Sequence, residues 1–255
     1  MHMRMNLIEF QAAFRDKPIV SEAAILEFFR REHPELKLPT LRWRLFELRR
    51  KGEIARIARG FYSFQPLKPF RPEISSVLKR IYHELKRELP YSDLCVWSTA
   101  WLDSLIVHQP ASKIIIAETE KVAVQKSFAI LHGHGRASFI EPTEKEIQFY
   151  ILPTQESVVV KPLMPRSPVM HLEGVVVPKL EKILVDLFAD RELFKAQQGA
   201  TLAELFRNSL TQFQVDLTTL ESYASRRGKR RAIRDFVLSI SGLPSGVEAA
   251  LRGMP

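Results

Sequence analysis

The side chains of this sequence that could do chemistry are mostly cations. Between positions 41 and 64, LRWRLFELRRKGEIARIARGFYSF, stand Arg42, Arg44, Arg49, Arg50, Lys51, Arg56 and Arg59. A guanidinium carries its N–H donors in a fixed planar fork. That fork suits phosphate oxygens and guanine edges alike, so the chemistry on offer is recognition of a polyanion. A second island, SRRGKRRAIR from Ser225 to Arg234, has six cations in ten residues: Arg226, Arg227, Lys229, Arg230, Arg231 and Arg234. It could extend a DNA footprint across phosphates, as an auxiliary basic patch. It could also face an acidic protein or RNA, or pair with acids such as Glu221 and Asp235.

Reactive groups are fewer. KIIIAETEK offers Glu118, Glu120 and Lys121. A Mg²⁺-dependent nuclease of the restriction-endonuclease kind needs two or three acids near a central sheet and an assisting lysine, usually as acid, any residue, lysine on one strand. Here Glu118 is followed two residues later by Glu120, and Glu120 and Lys121, being adjacent, would face opposite sides of a strand. Asp93 and Asp103 are candidates for the upstream acid. Glu118 and Glu120 read more simply as a strand end and a helix start, with the nuclease kept as the alternative. His132 and His134 in HGHGR have no nearby Cys and no HExxH spacing, and read as loop histidines. Cys95, in LCVW, reads as a small buried hydrophobe. No phosphate-binding glycine motif occurs. The expectation is a non-enzyme, with no catalytic residue, metal or cofactor assigned.

The elements that must position the cations follow from periodicity. A first helix is expected over Asn6–Phe14 with Asn6 as cap, and a second from Glu22 to about Arg31 capped by Ser21. Thr40 is expected to cap a third, in which Leu41, Leu45 and Leu48 form one buried face. Arg42, Phe46 and Arg49 take one flank; Trp43, Arg44, Glu47 and Arg50 take the other. Gly52 ends this helix. Ile54 and Ile57 then break strict alternation, which predicts a bulged strand, and Phe61 to Phe64 form its partner after a turn at Gly60. Three short helices and a hairpin are the winged helix-turn-helix plan, whose third helix enters the major groove while the hairpin lies along the backbone or minor groove. Double-stranded DNA is therefore the expected partner, bound by Thr40, Arg42, Trp43, Arg44, Arg49, Arg56 and Arg59. Trp43 can equally be half-buried core, Arg49 and Arg50 a solvated helix end, and the whole unit a protein-interaction module.

Charge distribution and punctuation set the wider organisation. The net charge is +9; residues 1–71 hold 15 Lys or Arg against 8 Asp or Glu, and the remaining residues 23 against 21. PLKPFRPE, with three prolines, marks a boundary between a DNA-binding domain at 1–67 and a second domain at 72–241. The second domain alternates helix and strand patterns. KIIIAET is its central strand, EIQFYILP and SVVVKPL are further strands, and a helical tail runs to about Ser241. The fold class is mixed α/β; a degenerate restriction-endonuclease-like fold is a candidate only through the family resemblance given below, because some relatives of this domain look like such folds. A single cysteine, no evident signal peptide and no apolar run long enough to span a bilayer give a cytoplasmic protein, with no membrane partner, as the expectation.

The pattern Leu45, Leu48, Gly52, Ile54, Arg56, Arg59, Gly60, Phe61, Tyr62 resembles the N-terminal winged helix of the AbiEi-type antitoxins, transcriptional regulators of type IV toxin–antitoxin, or abortive-infection, systems. WSTAWLDSLIVHQP, GVVVPKLEKILVDLFAD and DLTTLESYASRRGKR resemble segments of relatives of that group. The resemblance implies operator binding, repression of a toxin operon, and a nucleotidyltransferase-like toxin counteracted without stable binding. The palindromic logic of such regulators adds a homodimer.

Overall fold

Ser21 ends one element and starts the next. Its extended backbone closes β1 (Ile19–Ser21), and its Oγ accepts from the Ala24 N–H at 3.2 Å, capping α1 (Glu22–Arg30). In this computed structural model the described residues are 13–14, 18–65, 67–108, 113–154 and 156–253. The Asn6 cap and nearly all of the first expected helix lie outside them.

The next helix, α2 (Leu38–Arg50), begins two residues before the expected Thr40 cap. Lys37 is the cap residue and makes no side-chain capping bond. Pro39 sits in the first turn, where its missing N–H costs nothing, so the helix can start ahead of Thr40. Gly52, at φ 75°, closes the far end. The chain then forms β2 (Ala55–Ala58) and β3 (Phe61–Ser63), with Gly60 at φ 77° in the turn and a register shift between Arg56 and Ala58. β1, not expected from sequence, pairs antiparallel with β3, giving the order β1-β3-β2.

This small sheet has two covered faces, because successive strand residues point to opposite sides. Val20 and Ile54 join Ile25, Phe29, Leu36, Leu41 and Leu45 in one buried cluster. Ile19, Ala55, Ile57 and Ala58 belong instead to the larger core of the chain. The proline-rich segment is anchored on that larger body. Lys68 N–H donates to Gln212 O at 3.0 Å, Gln214 N–H donates to Lys68 O at 2.9 Å, and Phe70 meets Phe213 edge-on.

The larger body is a mixed α/β fold with several helices around open sheets. Helix α3 (Ser76–Glu88) leads into a four-stranded sheet of order β4-β5-β7-β6, comprising β4 (Leu94–Ser98), β5 (Ile114–Thr119), β6 (Ser138–Ile140) and β7 (Ser157–Pro162). β4 is antiparallel to β5, while β5 and β6 are both parallel to β7. Between β5 and β6 runs α4 (Val124–Gly133). The expected strand EIQFYILP is helical. Thr143 and Glu146 form a reciprocal capping box over α5 (Glu144–Glu146), which continues as a π-turn through Ile151. Ile147 and Ile151, four apart, are buried there while Phe149 and Tyr150 are exposed, a helical period misread as a strand. A hairpin, β8 (Val169–Leu172) and β9 (Val175–Pro178), precedes the almost wholly buried α6 (Leu180–Ala189). Helices α7 (Ala200–Gln212), α8 (Leu217–Arg226), α9 (Arg230–Ser239) and α10 (Val247–Arg252) complete the chain.

Candidate nucleic-acid interface

Successive residues of an α-helix turn by about 100°, which orients α2 from its seam. Leu41 and Leu45 are fully buried and Leu48 is packed beside them. Trp43 and Arg50 then stand within about 15° of the direction opposite that seam, and Phe46 within about 50°. Both rings are open to solvent, Trp43 at 64% and Phe46 at 52% exposure. Trp43 is thus not the half-buried core residue that the sequence allowed. Arg42 and Arg49 occupy one flank. Arg42 donates through Nε and Nη2 to the two oxygens of Glu22 at 2.9 and 3.0 Å, a bidentate pair that fixes its direction. The Arg49 guanidinium lies over the Phe46 ring, 5.8 Å from its centre. Arg50 donates to Glu47 one turn back, at 2.8 Å. Thr40 is exposed.

Arg44 departs from the expected front. It falls on the opposite flank, is half-buried, and its Nη1 is shielded from solvent. The hairpin departs further. Arg56 faces Asp216 at 3.3 Å, and the Arg59 backbone N–H donates to Thr218 Oγ1 at 2.9 Å. Asp216 caps α8 by accepting from the N–H groups of Thr218 and Thr219. The hairpin tip is therefore tied to the start of α8. Ile19 adds a second tie: a Cβ placed on Gly246 would come within 2.7 Å of its carbonyl oxygen, so the two backbones are nearly in contact.

The second basic island lies beyond the other end of α8, a ten-residue helix about 15 Å long. Three of its six cations face inward acids. Arg227 donates to Asp186 at 3.0 Å and to Asp190 at 2.5 Å. Arg230 and Arg234 both reach Glu221, at 3.2 and 2.5 Å, and Glu221 is only 3% exposed. Arg226 donates to Ser222 Oγ and to the Arg166 carbonyl. Arg231 extends into solvent, 3.8 Å from Asp235, and Lys229 is exposed. Of the six expected cations, Arg226, Lys229 and Arg231 are exposed, whereas Arg227, Arg230 and Arg234 are held by carboxylates that folding delivers.

Behind the island is a buried polar group that sequence reading did not assemble. Lys182 Nζ donates to Glu118 at 2.6 Å and to Asp186 at 2.5 Å, all three being essentially inaccessible. Tyr223 Oη donates to Asp186 at 2.9 Å, and Lys161 pairs with Asp190. Burial pushes the Glu118 carboxyl above its usual range, against the pull of Lys182. Burial acts the same way on Asp186, but Lys182, Lys161 and Arg227 outweigh it and hold Asp186 below its usual range. The signal was present as Lys182 and Asp186, four apart on the apolar helix LEKILVDLFA. A polar pair on a buried stripe requires partners.

The carboxylates of the nuclease alternative do not gather. Glu118 is engaged by Lys182, Glu120 accepts from the Asp93 N–H at 3.4 Å, and Asp103 pairs with Lys113 at 2.5 Å, beside the opposite end of β5. Among the described residues no group of three His, Cys, Asp or Glu side chains could hold a metal ion. His132 stacks on Phe128, and His134 lies 3.5 Å from Glu84. Cys95 is buried, and burial raises its thiol pKa well above the usual value.

Residues 40–241 match DUF6577, a family of unknown function, and the chain belongs to that family. No curated protein matches it.

Proposed function

We propose that this member of the DUF6577 family binds duplex DNA through the outward face of α2, and that residues 18–64 form a winged-helix module carried on the α/β body. One observation carries the reading. α2 turns its leucine seam inward, while residues 37–51 hold six cations, Lys37, Arg42, Arg44, Arg49, Arg50 and Lys51, against the single acid Glu47. A B-DNA major groove admits one helix, and cations beside it meet phosphates on the groove walls. The fixed direction of Arg42 lowers the disorder lost on binding. The bound hairpin tip makes the helix, rather than the wing, the contacting element in this arrangement. The resemblance to AbiEi-type antitoxins supplies the biological role: repression of an operon, with a homodimer on a palindromic operator and a nucleotidyltransferase-like toxin as functional partner.

A protein-interaction module is the second reading, favoured by the exposure of Trp43 and Phe46. Fluorescence anisotropy with a labelled duplex across a salt series separates the two. For Arg49→Ala and Arg50→Ala the DNA reading expects affinity to fall about tenfold, near 1.4 kcal/mol. It also expects the log–log salt slope to shrink by about 0.9 per lost phosphate contact. Unchanged affinity and slope in both variants would sink it, and absence of duplex binding at moderate salt would favour the protein partner.

A further inference from the structure

We propose that Trp43 and Phe46 read thymine methyl groups, so that α2 selects A·T pairs by apolar contact in the major groove; this rests on the duplex reading above. The two rings are three residues apart on one helix and point away from the seam, so neither helps to hold α2 on its sheet. A tryptophan 64% exposed and a phenylalanine 52% exposed, side by side, leave a patch whose water is readily displaced. The apolar group that base pairs display in the major groove is the C5 methyl of thymine, and phenyl rings pack against it. The cations fit the same geometry. Arg42 and Arg49 stand on the flank beside Phe46, and Arg50 stands on the front between Phe46 and Trp43, so each ring has a cation next to it that can meet a phosphate. Arg49 covers the Phe46 ring from one side, 5.8 Å from its centre, and the residue remains 52% exposed. Charge favours a nucleic acid over a protein pocket, because residues 37–51 carry a single acid and Glu47 is already paired with Arg50.

The test uses the full chain and three labelled duplexes of equal length at one salt concentration. One is A·T-rich, one has the same sequence with every thymine replaced by uracil, and one is G·C-rich. Uracil removes the methyl alone. Each buried methyl corresponds to about a fourfold difference in affinity, so two contacts give a thymine-over-uracil preference of about fifteenfold. Trp43→Ala and Phe46→Ala should each reduce that preference by about fourfold while leaving the salt slope unchanged. Both positions are surface sites, so thermal unfolding should show the variants folded. Equal wild-type affinity for the thymine and uracil duplexes overturns the methyl-reading inference and leaves duplex binding standing. No binding to any of the three overturns the duplex reading itself. Tighter binding to single-stranded oligothymidylate than to the A·T-rich duplex also overturns the inference, in favour of base stacking.

Discussion

Residues 37–51 around α2 and the stretch Ser225–Arg234 each carry six cations, yet folding uses them differently. Along α2 the paired arginines stay open to water: Arg50, against Glu47 one turn back, is 67% exposed, and Arg42, against Glu22 at the start of α1, is 60% exposed. Arg49 forms no ion pair with another described residue and rests on an aromatic ring instead. Along the second stretch Asp186 and Glu221 are buried and Asp190 is partly so. Asp186 and Asp190 arrive from α6 and the residue following it, and Glu221 from α8. Once dehydrated, these carboxylates need cations, and the arginines of the second stretch supply them. A run of positive charge thus marks a polyanion surface only where its cations stay open to water, as Arg42 and Arg50 do despite their partners.

The largest expected effect is on stability. Arg227→Ala leaves Asp186 and Asp190 short of a partner and should cost about 3 kcal/mol in urea unfolding, with DNA affinity of the folded protein unchanged. It also has a pH signature. Asp186 titrates below its usual range in the folded chain, so its contribution is complete above the ordinary aspartate range and is lost as pH falls through the folded value. Removing the Arg227 cation raises that value, and the acid-unfolding midpoint should move to higher pH. A variant as stable as wild type would end the contrast between the two regions.

The mirror image is next in size. Arg50→Ala should lower DNA affinity about tenfold, near 1.4 kcal/mol. Its stability should stay within about 0.5 kcal/mol of wild type, as for an ordinary surface site. Arg231→Ala, an outward cation of the second stretch, should leave both unchanged; an equal affinity loss would restore that stretch to the interface. Glu221→Gln sharpens the comparison by removing the anion that holds Arg230 and Arg234. It should cost about 1 kcal/mol, discounted because both arginines are partly solvated. It should also raise non-specific DNA binding, with a steeper salt slope as the released cations meet phosphates. The smallest effect belongs to Asp216→Asn, which frees Arg56 from a half-exposed pair. Stability should fall by about 0.5 kcal/mol or less, and any gain in duplex affinity would show that the hairpin can join the interface once released.

Much of the local structure was legible in the chain. The leucine spacing of α2, Ser21 as a cap, the glycine turn at Gly60 and the branched run of β5 depend on neighbours within a few residues, where periodicity and capping act. Two expectations give way to other local signals. EIQFYILP, expected as a strand, is helical because TEKE, a capping sequence, stands just ahead of it. Thr40 has the residue type of a cap, but Pro39 lets the helix begin earlier. β1 and β6 were missed because three residues are too few for a period to declare itself, and both depend on partners distant in sequence.

By itself the sequence determined which cations exist, which faces of short helices are apolar, and that α2 would carry its arginines away from a leucine seam. Only the tertiary structure decided which of those cations remain available. Ion pairing depends on distance and dehydration, and both Asp186 beside Arg227 and Asp216 beside Arg56 are brought from far along the chain by the packing of the larger core.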